Sequence, residues 1–437
     1  MPRKPLRPRP NRLDLVDPLV LEVYGLVRDQ GWLADRALER ALRRDPKLWA
    51  SERRAVAESV YGLIRWQAQL DYLLGGAPDL ATRYAAWLVR FEHLAPADAA
   101  RRLAVSPAAL ARLEGAEARI AAIADPIERL ALEASLPRWI AERFAGELGL
   151  DEARVLAAAM NARAPLTVRT NLLKGDREEL RGKLGSEGVA AEPTRHSPWG
   201  LVLDGHQNAF ALGSFREGRF EIQDEGSQLI ALACGARPGK IVVDACAGAG
   251  GKSLALAMEM HNKGSLHALD TDADRLEDAK KRARRAGVHN LRARVIAAGP
   301  EAEGQLQDLA GQADLVLVDA PCSGLGTLRR KPDARWRLTP EDPVRFAGIQ
   351  RTLVRRFAAL LKPGGRLVYA TCSIGRTENG EVADFAEREV GLVPVPLAPF
   401  LGEERAKVLG VDGARLELFP HRHGTDGFFV AAFEKRK

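Results

Sequence analysis

Two cysteines stand at the ends of segments that read as buried β-strands. Cys322 follows the apolar run ADLVLVDAP, and Cys372 follows GRLVYAT. Open α/β sheets bind their ligands outside the carboxyl ends of parallel strands, so both thiols are expected at one pocket if these strands are neighbours. A thiolate is a strong nucleophile, but with a pKa of about 8.5 only a small fraction of a cysteine is ionised at neutral pH. The chemistry therefore needs a helix terminus or a positive charge nearby.

A glycine-rich loop between a predicted strand and a predicted helix gives a second chemical signal. In KIVVDACAGAGGKS, Cys246 stands where a P-loop needs glycine, and Ser253 stands where a dinucleotide fingerprint needs its third glycine. Asp270 ends the next predicted strand 19 residues after Gly251, at about the distance of an acid that hydrogen-bonds a ribose. Asp244 would repel a pyrophosphate and suits a cationic ligand. We therefore expect S-adenosylmethionine, which combines an adenosine with a sulfonium and an ammonium.

A methyl donor beside a thiol favours alkylation of an unreactive pyrimidine carbon. Addition of a thiolate to carbon-6 makes carbon-5 nucleophilic, and a base must later remove the carbon-5 proton before the thiolate leaves. Asp319 shares its predicted strand end with Cys322 and could protonate or hydrogen-bond ring nitrogen N3. A stacked base cannot be reached, so the target must be unpaired or flipped out.

The elements that must position these residues form an α/β fold. From about residue 221 onward, predicted strands and helices alternate, which indicates a doubly wound Rossmann-like sheet, and ARLELFPHRHGTDGFFVAAFEK predicts a C-terminal β-hairpin. Residues 135–220 predict helices followed by a small α+β unit, in which LTVRT, GLVLDG, FALGSF and RFEIQD read as strands. Apolar residues three and four apart predict a helical domain over 14–134, and residues 1–13 are expected to be a basic, disordered tail.

The amino-acid composition argues against a membrane-spanning, a secreted or a zinc-binding protein. The 437 residues carry 65 Lys and Arg against 58 Asp and Glu, a net charge of +7, which suits a nucleic-acid partner without requiring one. No apolar run approaches the roughly 20 residues that span a bilayer, and the N-terminus lacks the apolar stretch of a secretory signal. Four cysteines without a CxxC pair or a histidine at ligand spacing argue against zinc and disulfides and indicate a reducing cytoplasm. His421 and His423 are expected to be surface residues.

Taken together, the motifs resemble the RsmB/NOP family of RNA cytosine carbon-5 methyltransferases over about residues 135–437. DACAGAGGKS resembles its donor loop, LDTDADRL its ribose motif, DAPCSGLGTLRRKPDARW its Pro-Cys motif, YATCSI followed by ENGEV its Thr-Cys motif, and TDGFF its C-terminal signature. RTNLLK and FEIQDEGSQ resemble upstream family segments, so the α+β unit corresponds to an RNA-recognition-like region. SERRAVAESVYGLIRW resembles the NusB-like RNA-binding domain of bacterial RsmB-type enzymes.

The resemblance implies roles for individual residues. Cys372 would be the nucleophile, Cys322 would assist product release, and Asp319 and Lys252 would contact the target base. The residues expected to contact S-adenosylmethionine are Asp244, Cys246, Ala247, Gly248, Ala249, Gly250, Gly251, Lys252, Asp270, Arg275 and Asp319. The implied product is 5-methylcytosine in small-subunit ribosomal RNA, made without a metal by a cytoplasmic monomer.

One departure from the family pattern follows the third predicted strand of the sheet. The family usually carries an acid there that contacts adenine, whereas this chain reads RVIAAGPEAE. The acids available to replace it are Glu301 and Glu303. The missing acid is expected to affect the affinity for S-adenosylmethionine but not the chemistry of the two cysteines.

Two alternatives remain beside this interpretation. DNA cytosine methyltransferases use the Pro-Cys cysteine as nucleophile and need no Thr-Cys partner, so the presence of Cys372 argues against them. A ribosome-assembly or RNA-binding protein could keep the fold and lose the chemistry. Intact cysteines with Lys252 and Asp319 argue against that reading, and the missing acid argues mildly for it. Donor binding measured by calorimetry separates the two, since an assembly factor need not bind the donor.

Overall fold

The computed structural model describes residues 12–205 and 208–437. These residues form two compact units: the first takes the described residues up to Ala162 together with Leu328–Thr339, and the second takes Arg163–Thr327 and Pro340–Lys437. Most of the predicted tail, residues 1–11, lies outside the described residues. Within the described ranges, no helix is both long enough and apolar enough to cross a membrane.

The first unit is built of helices. Val56, Val60, Leu63 and Ile64, which share one face of the third helix, are each no more than 1% exposed, so the spacing of apolar residues does create the core. Its helices up to Ala162 are α1 (Leu13–Gln30), α2 (Ala34–Arg44), α3 (Ala50–Leu74), α4 (Leu80–Phe91), α5 (Pro96–Leu103), α6 (Pro107–Ala111), α7 (Ala116–Ala121), α8 (Pro126–Glu133), α9 (Arg138–Leu148) and α10 (Leu150–Asn161).

The second unit begins with a four-stranded antiparallel sheet in the order β2-β3-β1-β4. Its elements are β1 (Leu166–Thr170), α11 (Arg177–Ser186), β2 (Ala191–Pro193), β3 (Gly200–Leu203), α12 (Gly213–Arg216) and β4 (Phe220–Ile222). The strand predicted for FALGSF is wrong, because this segment is a 3-10 turn (Ala209–Ala211) followed by α12. Glu187 accepts the Ser214 N–H and Oγ–H, both at 2.8 Å, and a carboxylate at that end favours a helix.

A larger sheet follows. Its first strands and helices are α13 (Glu225–Cys234), β5 (Lys240–Asp244), α14 (Gly251–Glu259), β6 (Gly264–Asp270), α15 (Ala273–Ala286), β7 (Leu291–Val295), α16 (Glu301–Gln305) and β8 (Ala313–Asp319). Its later elements, after α17 (Ala334–Arg337) in the first unit, are α18 (Asp342–Ala358), β9 (Leu361–Thr371), α19 (Gly380–Arg388), β10 (Val393–Pro394), α20 (Ala398–Leu401), α21 (Glu403–Leu409), β11 (Arg415–Leu418), α22 (Pro420–His423) and β12 (Phe428–Glu434).

The strand order of this sheet places the site. The order is β10-β12-β9-β8-β5-β6-β7, with β11 paired to β12. Strands β5 to β9 run parallel, and β12 returns antiparallel beside β9. The predictions of a doubly wound α/β sheet, of a C-terminal hairpin and of neighbouring strands before the two cysteines are confirmed. Strand β5 lies between β6 and β8, where the strand order reverses, and such a switch point is where open sheets bind ligands.

The segment Leu328–Thr339 leaves the Pro-Cys loop and packs within the helical unit. Arg335 is completely buried there, and its Nη1 donates to the carbonyl oxygens of Arg65 at 3.2 Å and Ser135 at 3.1 Å. Trp336 donates from Nε1 to the Ile64 carbonyl at 2.7 Å. The chain that carries Cys322 is thus continuous with a structural part of the helical unit.

Candidate active site

The glycine loop after β5 is a tight turn that needs its glycines. Gly248 and Gly250 have φ values of 52° and 81°, in the left-handed region that glycine adopts without steric cost. A Cβ atom added at Gly250 would lie 2.9 Å from the Cβ of Ala279, so helix α15 also leaves no room for a side chain. Arg282 supports the loop from the same helix by donating from Nη1 to the Ala249 carbonyl at 2.7 Å.

Two acids flank this loop. Asp244 is 1% exposed and accepts the Ser253 Oγ–H at 2.6 Å, and burial raises its pKa to about 7. Its Oδ1 is buried with no hydrogen-bond partner among the described residues. Asp270 accepts the N–H of Gly248 at 2.7 Å and of Asp272 at 2.9 Å, one on each carboxylate oxygen, which leaves a lone pair on each.

These groups fit S-adenosylmethionine. The orphaned acceptor on Asp244 suits a ligand ammonium, and the remaining lone pairs of Asp270 suit ribose hydroxyls. Cys246 lies in the same loop, and burial raises the pKa of its thiol. Cys246 therefore presents a neutral thiol to a bound ligand.

The two active-site cysteines meet at the carboxyl ends of β8 and β9. Their Sγ atoms are 3.3 Å apart. The hydrogen bond to Cys372, burial and the negative charge of Cys372 together raise the pKa of Cys322 well above its ordinary value. Cys322 is therefore a thiol that keeps its proton. Cys234 is completely buried at the end of helix α13, and burial raises its pKa as well.

A lysine and an aspartate complete the polar part of this site. Lys252, in the first turn of α14, reaches Asp319 at the end of β8 with an Nζ–Oδ2 distance of 2.7 Å. Burial alone would lower the Lys252 pKa, but Asp319 and the charge of Cys372 outweigh it, so the pKa is raised. Lys252 Nζ also lies 5.8 Å from the ring centroid of Phe428. The ammonium stays charged and stabilises a thiolate on Cys372.

Sequence reasoning missed a buried carboxylate that joins the two cysteine loops. Glu378 is completely buried. It accepts the backbone N–H of Ser323 at 2.8 Å and the Oγ–H of Ser373 at 2.6 Å, each from the residue that follows a cysteine. Gln350 donates to the same carboxylate at 3.1 Å. The available signal was the segment ENGEV, whose first glutamate, Glu378, follows Cys372 by six residues.

Other residues predicted for the site lie further out. The Arg275 side chain is 67% exposed and pairs with Asp272 at 3.4 Å. Glu301 and Glu303, the acids that were available to contact adenine, are exposed on α16. Within residues 12–205 and 208–437, no three His, Cys, Asp or Glu side chains converge as a metal site would require.

Comparison with known proteins gives consistent matches. Residues 231–434 match the family model for 16S rRNA methyltransferase RsmB/F, and residues 136–209 match that of an RsmF/B-like ferredoxin-like domain. A probable ribosomal RNA small subunit methyltransferase B of Bacillus subtilis (strain 168) is 31% identical over 93% of this chain and 96% of its own. A 28S rRNA (cytosine-C(5))-methyltransferase of Mus musculus is 34% identical over 62% of this chain and 35% of its own.

Solved structures are similar as well. A methyltransferase homolog protein from Pyrococcus horikoshii superposes with a TM-score of 0.60 at 28% identity, over 72% of this chain and all of that one.

Proposed function

Since the chain belongs to the RsmB/F family of ribosomal RNA methyltransferases, we propose that it methylates carbon-5 of a cytosine in small-subunit ribosomal RNA through a covalent bond to Cys372. As a member of this family it is an S-adenosylmethionine-dependent RNA cytosine methyltransferase. The observation that carries the proposal is the pair of thiols 3.3 Å apart, beside an ammonium 2.7 Å from a carboxylate.

Cys372 acts as the nucleophile in this proposal. The Lys252 ammonium favours its thiolate, and the Cys322 sulfur lies 3.3 Å from the Cys372 sulfur. The thiolate bonds to carbon-6 of the cytosine, and the electron pair of the 5,6 double bond then makes carbon-5 nucleophilic. Bound S-adenosylmethionine supplies the electrophilic methyl group that carbon-5 takes.

The Lys252–Asp319 pair stabilises the ring during this addition. Negative charge moves onto N3 of the pyrimidine when the thiolate adds at carbon-6. Lys252 uses one of its three hydrogens on Asp319 and keeps the others for the base. Hydrogen bonds from preorganised groups to N3 are stronger in the transition state than in the ground state, which is what accelerates the step.

Cys322 acts when the product leaves. Two of the four causes that raise its pKa are the hydrogen bond to Cys372 and the charge of Cys372; the others are burial and the charge of Glu378. Bonding of Cys372 to carbon-6 removes both, so the Cys322 pKa falls at the stage when a base is needed. Cys322 releases its own proton to solvent at this stage and then takes the carbon-5 proton. The electron pair of the carbon-5–hydrogen bond re-forms the 5,6 double bond, and the carbon-6–sulfur bond breaks with its electron pair returning to Cys372.

The donor and the RNA are assigned to separate parts of the chain. We assign the ammonium of the donor to Asp244, its ribose to Asp270, and its remaining contacts to the loop 246–251 and to Arg275. The helical residues 14–134 and the unit over 135–220 are assigned to RNA binding, as in the NusB-like and RNA-recognition-like regions that they resemble.

The test is methyl transfer from labelled S-adenosylmethionine to bulk RNA. Wild-type protein should label carbon-5 of cytosine, Cys372→Ala should give no label, and Cys322→Ala should accumulate a protein–RNA adduct that survives denaturing gels. Cys234→Ala, which removes a buried thiol outside the site, is the matched control and should turn over. Labelling by Cys372→Ala would refute the nucleophile assignment. A wild-type protein that neither binds the donor nor labels RNA would instead support an assembly factor.

A further inference from the structure

The second unit contains a large cationic pocket at the start of the C-terminal hairpin. Its volume is about 600 Å³. Five basic side chains from separate segments line it: Arg195, Arg376, Lys407, Arg415 and Arg422. Asp412 and Glu417 are the acids that line it. The excess of cations indicates a site for an anion.

Two of these five cations are not neutralised by the protein. Arg415 is paired with Asp384 at 2.7 Å and with Glu387 at 2.5 Å, so it contributes little. Arg195 and Lys407 are exposed, and neither forms an ion pair within residues 12–205 and 208–437. Exposed cations that line a pocket and form no ion pair are available to an incoming polyanion.

Two histidines in the wall of the pocket lie in the same positive electrostatic potential. The rings of His196 and His423 are 6.2 Å apart. Burial, followed by the positive charges of His196 and Arg422, lowers the pKa of His423 to about 4. His196 is 5% exposed, and its Nε2 is buried without a hydrogen-bond partner among the described residues. A ring nitrogen without a partner in a positively charged wall retains the capacity for one hydrogen bond.

Two of the cations also line a neighbouring cavity, whose lining includes the acids Asp224 and Glu225. This cavity of about 370 Å³ shares Arg195, Arg422 and His423 with the first pocket. A surface that runs across two adjoining cavities suits a chain of phosphates better than one small anion.

One residue of the pocket lining is paired with the strand end that precedes Cys372. Phe429 lines the pocket and is paired in the sheet with Thr371, the residue before Cys372. Arg376, at its rim, follows Cys372 by four residues. A strand whose target base reaches Cys372 would therefore continue past these cations.

We propose that this pocket binds backbone phosphates of the RNA strand next to the target cytosine, an inference that rests on the proposed function. Arg195 and Lys407 contact the phosphates, and His196 forms a hydrogen bond with the sugar–phosphate backbone. The contacts carry no base specificity and fix the register of an unpaired strand. The target base is then held where Cys372 can reach it.

The test compares two double variants in binding a labelled single-stranded oligoribonucleotide. Arg195→Gln/Lys407→Gln removes the pocket charges. Lys263→Gln/Arg284→Gln is the matched control, because it removes two exposed cations that do not line the pocket. Each phosphate contact in a single strand contributes about 0.7 to the slope of log K against log salt, so the pocket variant should lose about 1.4 from that slope. Near 0.1 M salt this is roughly 10- to 30-fold weaker binding.

Each outcome has a separate meaning. Donor binding and the helical content should be unchanged in both variants. Suppose that the wild type methylates RNA but the pocket variant has the same affinity and salt slope as the control. That result would overturn the inference. A wild type that neither binds the oligonucleotide nor methylates RNA would overturn the proposed function itself, and the inference with it. A loss of inorganic phosphate binding without any change in the RNA slope also counts against the inference.

Discussion

The two active-site cysteines have the same side chain but different surroundings. Cys372 shares its pocket with the Lys252 ammonium, whereas Cys322 lies near the Glu378 carboxylate. The ammonium favours a thiolate, and the carboxylate favours a thiol. The sequence alone could predict that both thiols reach one pocket. Their division of labour came from a resemblance, because it depends on charges brought in from α14 and from the turn after β9.

Lys252→Met tests this arrangement. The variant removes the charge beside the thiolate and leaves Asp319 without its partner, so the single-turnover rate of methyl transfer should fall by about 100-fold or more. The affinity for the donor, measured by calorimetry, should stay within a few-fold of the wild-type value, because the ammonium and the ribose of the donor are assigned to Asp244 and Asp270. Lys240→Met, which removes an exposed lysine 3.3 Å from Asp314, is the control. Equal rates in the two variants would show that Lys252 has no part in the chemistry.

Asp244 should make donor binding depend on pH. Its pKa is raised to about 7 by burial, so the charged form that attracts an ammonium is lost as pH falls below 7. Between about pH 5.5 and 7 the affinity should improve as pH rises, by up to about tenfold per unit. Asp244→Asn should bind weakly and show no such dependence by calorimetry. A wild-type affinity that is flat over this range contradicts the assignment.

The same shift has a consequence for stability. Because the folded-state pKa of Asp244 lies above its ordinary value, protonation favours the folded state. This contribution is fully present below about pH 4 and is lost as pH rises through 7. Without donor, the unfolding temperature of the wild type should therefore fall as pH rises over this range. The unfolding temperature of Asp244→Asn should fall less.

Among the elements, the parallel sheet was the most predictable part. Its strands are continuous apolar runs, its glycine loop has the turn residues that a strand-to-helix reversal needs, and the neighbouring positions of β8 and β9 follow from the fold class. The segment FALGSF was mispredicted because Glu187, distant in sequence, caps α12. Glu378 was missed for a similar reason: burial of a lone acid depends on hydrogen-bond donors that only the folded chain brings together.

Glu378→Gln should loosen both cysteine loops at once. The amide cannot accept the hydrogen bonds from Ser323, Ser373 and Gln350 as the carboxylate does, and an unsatisfied buried donor costs about 1–3 kcal/mol. We expect a lower unfolding temperature and a kcat reduced about 10- to 100-fold, since a small misplacement of reacting groups is costly. The KM for the donor should change little.

Glu381→Gln is the matched control. This residue lies three positions further along, half exposed and 3.5 Å from Arg351, and exposed pairs of this kind contribute little. If Glu378→Gln behaves as this control does, the carboxylate does not position the cysteines.

For the molecule as a whole, the main surprise is the path of the chain. The sequence motif DAPCSGLGTLRRKPDARW reads as one piece, yet its second half belongs to the helical unit. Periodicity could not reveal this, because Arg335 and Trp336 look like surface residues until their hydrogen bonds to carbonyl oxygens of the helices are known. The helical unit is therefore completed by a segment from the catalytic half of the chain.

A truncated protein should expose this dependence. Residues 163–437 alone keep the sheet but lack the helices that bury Arg335 and Trp336. We expect protease cleavage within Leu328–Thr339 and a lower unfolding temperature than in the full chain, because the segment loses its hydrogen-bonding partners. The full chain, cut under the same conditions, is the reference. A truncated protein as resistant there as the full chain would show that the segment folds without the helical unit.

The central claim is that Cys372, and not Cys322, bonds to the base. RNA in which cytosine carries fluorine at carbon-5 tests it directly, because no proton is then available for removal and the covalent complex cannot resolve. With wild-type protein and donor, we expect a complex that survives denaturation. Mass spectrometry should then find the modified nucleotide on the peptide that contains Cys372. A nucleotide on the Cys322 peptide, or no complex although the same RNA with ordinary cytosine is methylated, would contradict it.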